Sequence, residues 1–175
     1  MINLLKNRRS IRKFTDEAVS KEDLQKILKA GLLSPSSMGK NPVEFIVIQD
    51  KEIIAKLEEC KKFGTMPLKT SPLVICILAD SELSDVWVED ASIVSILMQL
   101  EVEKLGLGST WIQIRNRECS EGDSQEAVKV LSIPKKYGVL SLIAIGHKNE
   151  EKKPYTDEDL NFEKVHYENF NDKNN

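Results

Sequence analysis

The chain has 175 residues, 41% of them hydrophobic, and a formal net charge of -3. That length suits one compact domain with a core of its own, spanning residues 1–168 with an arm over 155–175, and leaves no room for two comfortable domains. The acidic balance argues against nucleic acid or an anionic membrane as the main partner, because either would favour a basic face.

Cys60, Cys76 and Cys119 are odd in number and widely spaced, which implies reduced thiols in a cytoplasmic protein and no disulfide framework. Cys119 sits in a polar stretch and is a candidate reactive thiol. The apolar run in MINLLKNRRS is too short for a signal peptide. His147 and His166 stand in no metal-ligand spacing, so no metal site is expected. No GxGxxG or GxxxxGK[ST] motif is present; any phosphate must be held by side chains.

Along the chain, Ser20 with Asp23 makes a helix start, and Leu24, Ile27, Leu28, Gly31 and Leu32 follow at helical spacing. SPSSMGKNP ends that helix. Residues 44–49, EFIVIQ, read as a strand, with Ile53, Ile54 and Leu57 at helical spacing behind it. PLVICILA, residues 72–79, is apolar on both faces and predicts a central strand. From 85 to 105, Val88, Ala91, Val94, Ser95, Met98 and Val102 form one stripe, while Ile96, Leu97 and Leu100 are apolar on another side. A helix apolar nearly all round is buried on several sides, by the core and by a second subunit. Residues 109–114, a short helix over 125–131 and a strand over 139–145 complete the body. Beyond Gly146 the chain turns polar but carries Phe162, Val165, Tyr167 and Phe170, the pattern of an arm that packs on something; its last six residues read as disordered. Alternation of helix and strand by itself suggests a parallel α/β sheet.

Three stretches carry chemistry. RRSIRKF places three arginines and a serine within five positions, and guanidinium forks suit phosphate or carboxylate. SPSSMGKNP is small, hydroxylated and bounded by prolines. GLGSTWIQI delivers glycines into a strand bearing Trp111. A ligand with a phosphate, a polyol and a flat polar ring needs cationic donors, hydroxyl and amide donors, and backbone edges beside an apolar plane. Flavin mononucleotide (FMN) is such a molecule.

These segments, with LSIPKKYGVLSLIAIGH and EKVHYENF in the same order, make the chain resemble the FMN-dependent nitroreductase family in its short single-domain form. The resemblance implies an α+β fold, a three-layer α/β/α sandwich around a mostly antiparallel mixed sheet, with C-terminal arms exchanged in a homodimer. It therefore replaces the parallel-sheet expectation. It assigns Arg8, Arg9, Ser10 and Arg12 to the FMN phosphate and ring edge, and Pro35, Ser36, Ser37 and Asn41 to the flavin's flank. Trp111 and Ile112 correspond to the strand beneath the ring, and Gly146 to a glycine near the phosphate.

The activity implied is electron transfer from NAD(P)H through flavin N5 to small acceptors such as nitroaromatics or quinones, in alternating half-reactions, with no catalytic side chain demanded. An FMN storage or sensor module and a flavin-dependent dehydrogenase or dehalogenase are the alternatives. Two departures matter. Val43 stands where relatives often carry an aromatic residue, which suggests an open flavin face and a broad acceptor range; Tyr155 stands where an arginine is frequent, leaving Lys148, Lys152 or Lys153 to complete the phosphate site.

Overall fold

The computed structural model describes residues 1–116 and 125–170; Cys119 and the final five residues lie outside that range. In chain order the elements are α1 (Ile2–Asn7), α2 (Lys21–Leu32), β1 (Val43–Ile48), α3 (Lys51–Glu58), β2 (Leu73–Asp80), α4 (Trp87–Lys104), β3 (Gly108–Gln113), α5 (Gln125–Val130) and β4 (Tyr137–Gly146). The helix starts follow local chemistry. Ser20 Oγ accepts the Asp23 N–H at 3.0 Å, and Asp50 does the same for Glu52 and Ile53 at 2.8 and 3.1 Å. Each cap satisfies N–H groups that the helix cannot, worth about 1 kcal/mol.

The strands lie in the order β1-β2-β4-β3, and all three pairings are antiparallel. The parallel sheet suggested by alternation is thus overturned, as the family resemblance implies. The parallel element among the described residues is a single bridge, Ser10 with Ser109. Central β2 is apolar from Leu73 to Ala79 because both its faces are covered. Leu73, Ile75 and Ile77 meet Ile27 of α2 and Ala91, Val94 and Met98 of α4 in one core. Val74, Cys76 and Leu78 meet Ile54 and Leu57 of α3 and Ala127 of α5 in the other. Gly31 sets the spacing of the first layer, since a Cβ there would lie 2.9 Å from Phe45 Cζ and 3.0 Å from Met98 Sδ.

Helix α4 is covered on one side only. Ala91, Val94, Ser95, Met98 and Val102 are buried, whereas Ile93 and Ile96 remain 40% and 38% exposed. The N-terminal segment after α1 is stitched to the sheet at the far end from β1's start. Ile11 N–H donates to Ser109 O at 2.9 Å, Thr15 N–H to His147 O at 3.0 Å, and Asn149 N–H to Lys13 O at 2.9 Å.

Past β4 the chain leaves the body. Its root is tied to the N-terminus: Tyr155 N–H donates to Lys6 O at 2.9 Å, Lys6 pairs with Asp157 at 2.6 Å, and the Arg9 guanidinium lies 4.2 Å over the Tyr155 ring. From there to residue 170 the side chains are exposed except for half-buried His166, which stacks on Phe170 with ring centroids 4.4 Å apart. Leu160, Phe162, Tyr167 and Phe170 stand 47–81% exposed, apolar surface that its own chain does not cover.

Candidate functional site

The segment stitched beside β3 carries Arg12 and Lys13 to the rim of a cleft of about 770 Å³. Its walls include Thr110, Trp111, Ile112 and Gln113 of β3 and the 3₁₀ turn Met66–Thr70. Trp111 is half-buried and held in place: its indole N–H donates to Gln113 Oε1 at 2.8 Å, and the Gln113 amide donates to Arg115 O at 2.9 Å. Met66 and Pro67 supply apolar surface, and Lys61 fixes the far wall by donating to Gln113 O at 2.7 Å.

Cations dominate the charge. Among the described residues Arg12, Lys13, Lys61 and Lys69 line the cleft, with Glu150 as the one carboxylate. Glu150 is occupied by the wall itself, accepting the Arg12 N–H and pairing with Lys152 at 3.1 Å. Burial alone would raise its pKa, but the Arg12 and Lys13 N–H groups and the Lys152 ammonium together hold it below the ordinary glutamate value. Asn149 and Glu150 also wall an adjoining cleft of about 650 Å³, lined by Asn7, Arg9, Lys148 and Lys152.

Of the residues singled out in the sequence, Arg12, Trp111 and Ile112 come together in the first cleft. Ser10 lies against β3, paired with Ser109. Arg8 is half-buried and has no ion pair among the described residues. Arg9 lines the second cleft, and its guanidinium donates to Lys153 O while covering Tyr155; it is committed to the root of the tail. Lys148 is bound by both oxygens of Glu103 at 2.8 and 2.9 Å and Lys152 pairs with Glu150, so among the three candidate lysines Lys153, with no ion pair among the described residues, is better placed to turn to a ligand. Gly146 is demanded by packing: a Cβ there would sit 2.7 Å from Pro72 Cδ and 3.0 Å from Phe14 Cβ.

Pro35, Ser36, Ser37 and Asn41 are elsewhere. Ser36 Oγ accepts the Asn41 N–H at 2.8 Å, and Ser37 N–H donates to buried Asp90 at 2.8 Å. Met38, Gly39 and Asn41 take left-handed φ of 52°, 66° and 48°, a tight loop pinned to the first turn of α4. The loop leads into Val43, whose partner on β2 is Ala79, itself opposite Gly138. Trp111 is opposite Ile143 on β4. Five residues along β4 and three strand spacings across therefore separate the two groups, roughly 20 Å, more than the length of a flavin ring. Val43 itself packs against the α2/α4 core, so replacing an aromatic there does not open the Arg12 cleft of the same chain.

Sequence patterns did not mark Thr110, Gln113, Met66 or Pro67 as cleft residues, nor Asp90 as the loop's anchor. For Gln113 a signal existed, a polar residue two places beyond Trp111 on the same strand face. For Asp90, an acid in the first turn of an otherwise apolar helix was the available hint. Among the described residues no group of three or more His, Cys, Asp or Glu side chains is arranged to hold a metal, and none of the described helices is long and apolar enough to cross a membrane.

An antiparallel sheet between helical layers, with a cation-rimmed cleft beside a tryptophan at its edge strand, is an α+β scaffold suited to a flat anionic ligand. The family model for nitroreductases matches residues 5–65. A protein of Archaeoglobus fulgidus provisionally named NADH dehydrogenase/NAD(P)H nitroreductase is 36% identical over 174 residues, 95% of this chain and 97% of its own length. The solved structure of an FMN-dependent nitroreductase from Clostridium difficile R20291 is 51% identical, with a TM-score of 0.95 over 97% of this chain and 100% of that one. A structure from Desulfovibrio desulfuricans, provisionally named a nitroreductase and in complex with FMN, is 28% identical with a TM-score of 0.72 over 85% of this chain and 86% of that one. The chain belongs to the nitroreductase family.

Proposed function

We propose that this protein is an NAD(P)H-dependent FMN oxidoreductase that reduces small acceptors such as nitroaromatics or quinones in alternating half-reactions. The observation that carries this reading is the convergence of Arg12 with the distant Trp111–Ile112 segment of β3 on one cleft of about 770 Å³, a volume typical of small-ligand sites. The relatives' names supply the donor and the cofactor: NAD(P)H for the Archaeoglobus protein and FMN for the Clostridium one.

The donor set fits FMN. Trp111, Met66 and Pro67 give the cleft apolar surface and Thr110, Gln113 and Asn149 give it polar groups, while the side chain of Ile112, next to Trp111 on β3, is buried in the core on the other face of the sheet. Arg12 supplies the fork of donors that an anionic ring edge or phosphate requires. Arg8, without an ion pair among the described residues, and Ser10 next to it are the remaining phosphate donors, with Lys153 within the same loop region. Bound there, FMN would supply a ring nitrogen that takes a hydride from NAD(P)H and delivers two electrons to the acceptor. The chain's own residues then have defined tasks. Arg12 stabilises negative charge on the reduced ring edge, where a guanidinium in a partly dry cleft is worth more than in water. Apolar surface from Trp111, Met66 and Pro67 would cover the ring, and donor and acceptor would take turns at the face left open. No side chain is required to move a proton at the cleft floor.

A second copy completes this reading. Pro35, Ser36, Ser37 and Asn41 stand roughly 20 Å from Trp111 in one chain, so they serve a flavin held in the partner's cleft. Exposed Ile93 and Ile96 of α4 and the uncovered aromatic tail give the isologous contact its apolar surface.

The test is to load the protein with FMN, exclude oxygen, and add NADH and then NADPH. Loss of the visible flavin band within seconds, and its return on adding a quinone, is the expected result. A flavin that binds but stays oxidised with either nucleotide refutes the reductase and favours storage or sensing.

A further inference from the structure

We propose that the acceptor reduced in this cleft is a planar molecule carrying an anionic group, such as a carboxylated or sulfonated aromatic, recognised by Lys13 and Lys69 at the cleft's rim. The proposal rests on the oxidoreductase reading above and names the substrate class of that site. Holding FMN accounts for Arg12, Arg8 and Ser10. It leaves Lys13 and Lys69 without a task, although both line the cleft.

Their charges are available. Lys13 has no ion pair among the described residues, and its backbone is fixed on both sides: its carbonyl accepts the Asn149 N–H at 2.9 Å, and its N–H is engaged by Glu150. The side chain is thereby rooted on a rigid rim while its ammonium remains in solvent. Lys69 meets Glu58 at 3.3 Å, with 62% of the lysine side chain exposed, an arrangement that solvent screens and that costs little to open. Glu150, the one carboxylate among the described lining residues, is spent on backbone N–H groups and Lys152. Lys61, on the same wall, is engaged with Gln113 O, so recognition falls to Lys13 and Lys69. On a chain whose net charge is -3, this local excess of cations beside Trp111, Met66 and Pro67 describes a ligand with a flat apolar body and a negative end. Exposed cations at a cleft mouth also draw such a ligand in from solution.

The step balances for a nitroaromatic carboxylate. The nitro group takes two electrons and two protons to give the nitroso product and water; NAD(P)H supplies the hydride by way of the cofactor, and solvent supplies the second proton. The anionic group on the ring is not consumed and serves only for recognition.

The experiment compares 4-nitrobenzoate with 4-nitrobenzamide, which share shape and differ by one charge, using FMN-loaded wild type, Lys13→Gln, Lys69→Gln and the double variant. The readout is the ratio of kcat/KM for the acid to that for the amide, so that intrinsic reactivity cancels between proteins. The ratio should fall about 3- to 5-fold for each lysine and about 10-fold or more for both, as exposed ion pairs are worth. In wild type it should also shrink when salt shortens the Debye length. A ratio unchanged in all variants overturns the proposal. So does a loss of FMN affinity in the variants with the ratio intact, which would give the lysines to the cofactor. If wild type turns over neither acceptor while its flavin is reduced by neither nucleotide, the oxidoreductase reading itself fails.

Discussion

Replacing Gly108 with Ala puts the coupling between fold and cleft to a direct test. A Cβ at Gly108 would lie 2.8 Å from both Cβ and Cγ2 of Ile11 and 2.9 Å from Lys148 Cγ, against about 3.5–4.0 Å for comfortable carbon contacts. The lysine stem can swing aside. Ile11 cannot, being β-branched and 2% exposed. The segment therefore has to move by about 1 Å, against the Ile11 N–H to Ser109 O bond of 2.9 Å that holds it. Overpacking of this kind costs about 1–3 kcal/mol and the weakened hydrogen bond about 1 kcal/mol, offset by about 0.5 kcal/mol from the stiffer unfolded chain. The net loss of about 1.5–3.5 kcal/mol predicts a fall in Tm of roughly 3–14 °C for a chain of this size. Because Arg12 is one residue from Ile11, FMN affinity should fall as well, by about 10-fold or more. Thermal unfolding of the apoprotein followed by fluorescence titration with FMN measures both. A variant with an unchanged Tm would refute the tight Ile11–Gly108 approach; one that is destabilised yet binds FMN normally would refute the claim that this contact sets the position of Arg12.

Arg12→Ala should weaken FMN by about 10- to 100-fold through lost charge-assisted bonds, with Arg12→Lys recovering only part; riboflavin should lose as much if Arg12 serves the ring edge, and a loss confined to FMN would move Arg12 from the ring edge to the phosphate. Removing residues 156–175 takes away the exposed aromatics while keeping Tyr155 against Arg9 and Lys6. Light scattering should then report a weaker dimer, and a truncated protein that stays dimeric and retains FMN would sink the exchanged arm. Glu150 has a depressed pKa in the folded state, so its contribution is fully present above the ordinary glutamate value of 4.5 and is lost as pH falls below it. Glu150→Gln should accordingly be less stable than wild type near neutrality and lose less on acidification, and parallel stability curves for the two proteins from neutral to acid pH would contradict that assignment.

Local chemistry in the chain was enough to find the elements. The Ser20 cap, the stripe of α4 and the doubly apolar β2 all depend on neighbours within a few residues, and each element lies within about two residues of its expected bounds. The short α1 had no such signature and was missed, because its six residues include no buried side chain and no side-chain cap. The motifs around Arg12, Pro35 and Trp111 were also legible, as residue types suited to an anionic, flat ligand and as marks of the family. Strand direction was legible only through those family marks, which imply a mostly antiparallel sheet, and not from the order of elements. Alternation of helix and strand pointed to a parallel sheet, and only pairings between segments tens of residues apart, such as Ile75 with Ile143, make the sheet antiparallel. Tertiary structure alone also divided the presumed site, bringing Arg12 to Trp111 through the Ser10–Ser109 bridge while fastening Ser37 to Asp90 at the far end of the sheet. It turned Arg9, itself expected at the phosphate or ring edge, onto Tyr155. Sequence spacing records which groups a chain carries and how they repeat along a helix or strand; which of them meet depends on the free energy of burying whole faces together, and that is a property of the assembled layers.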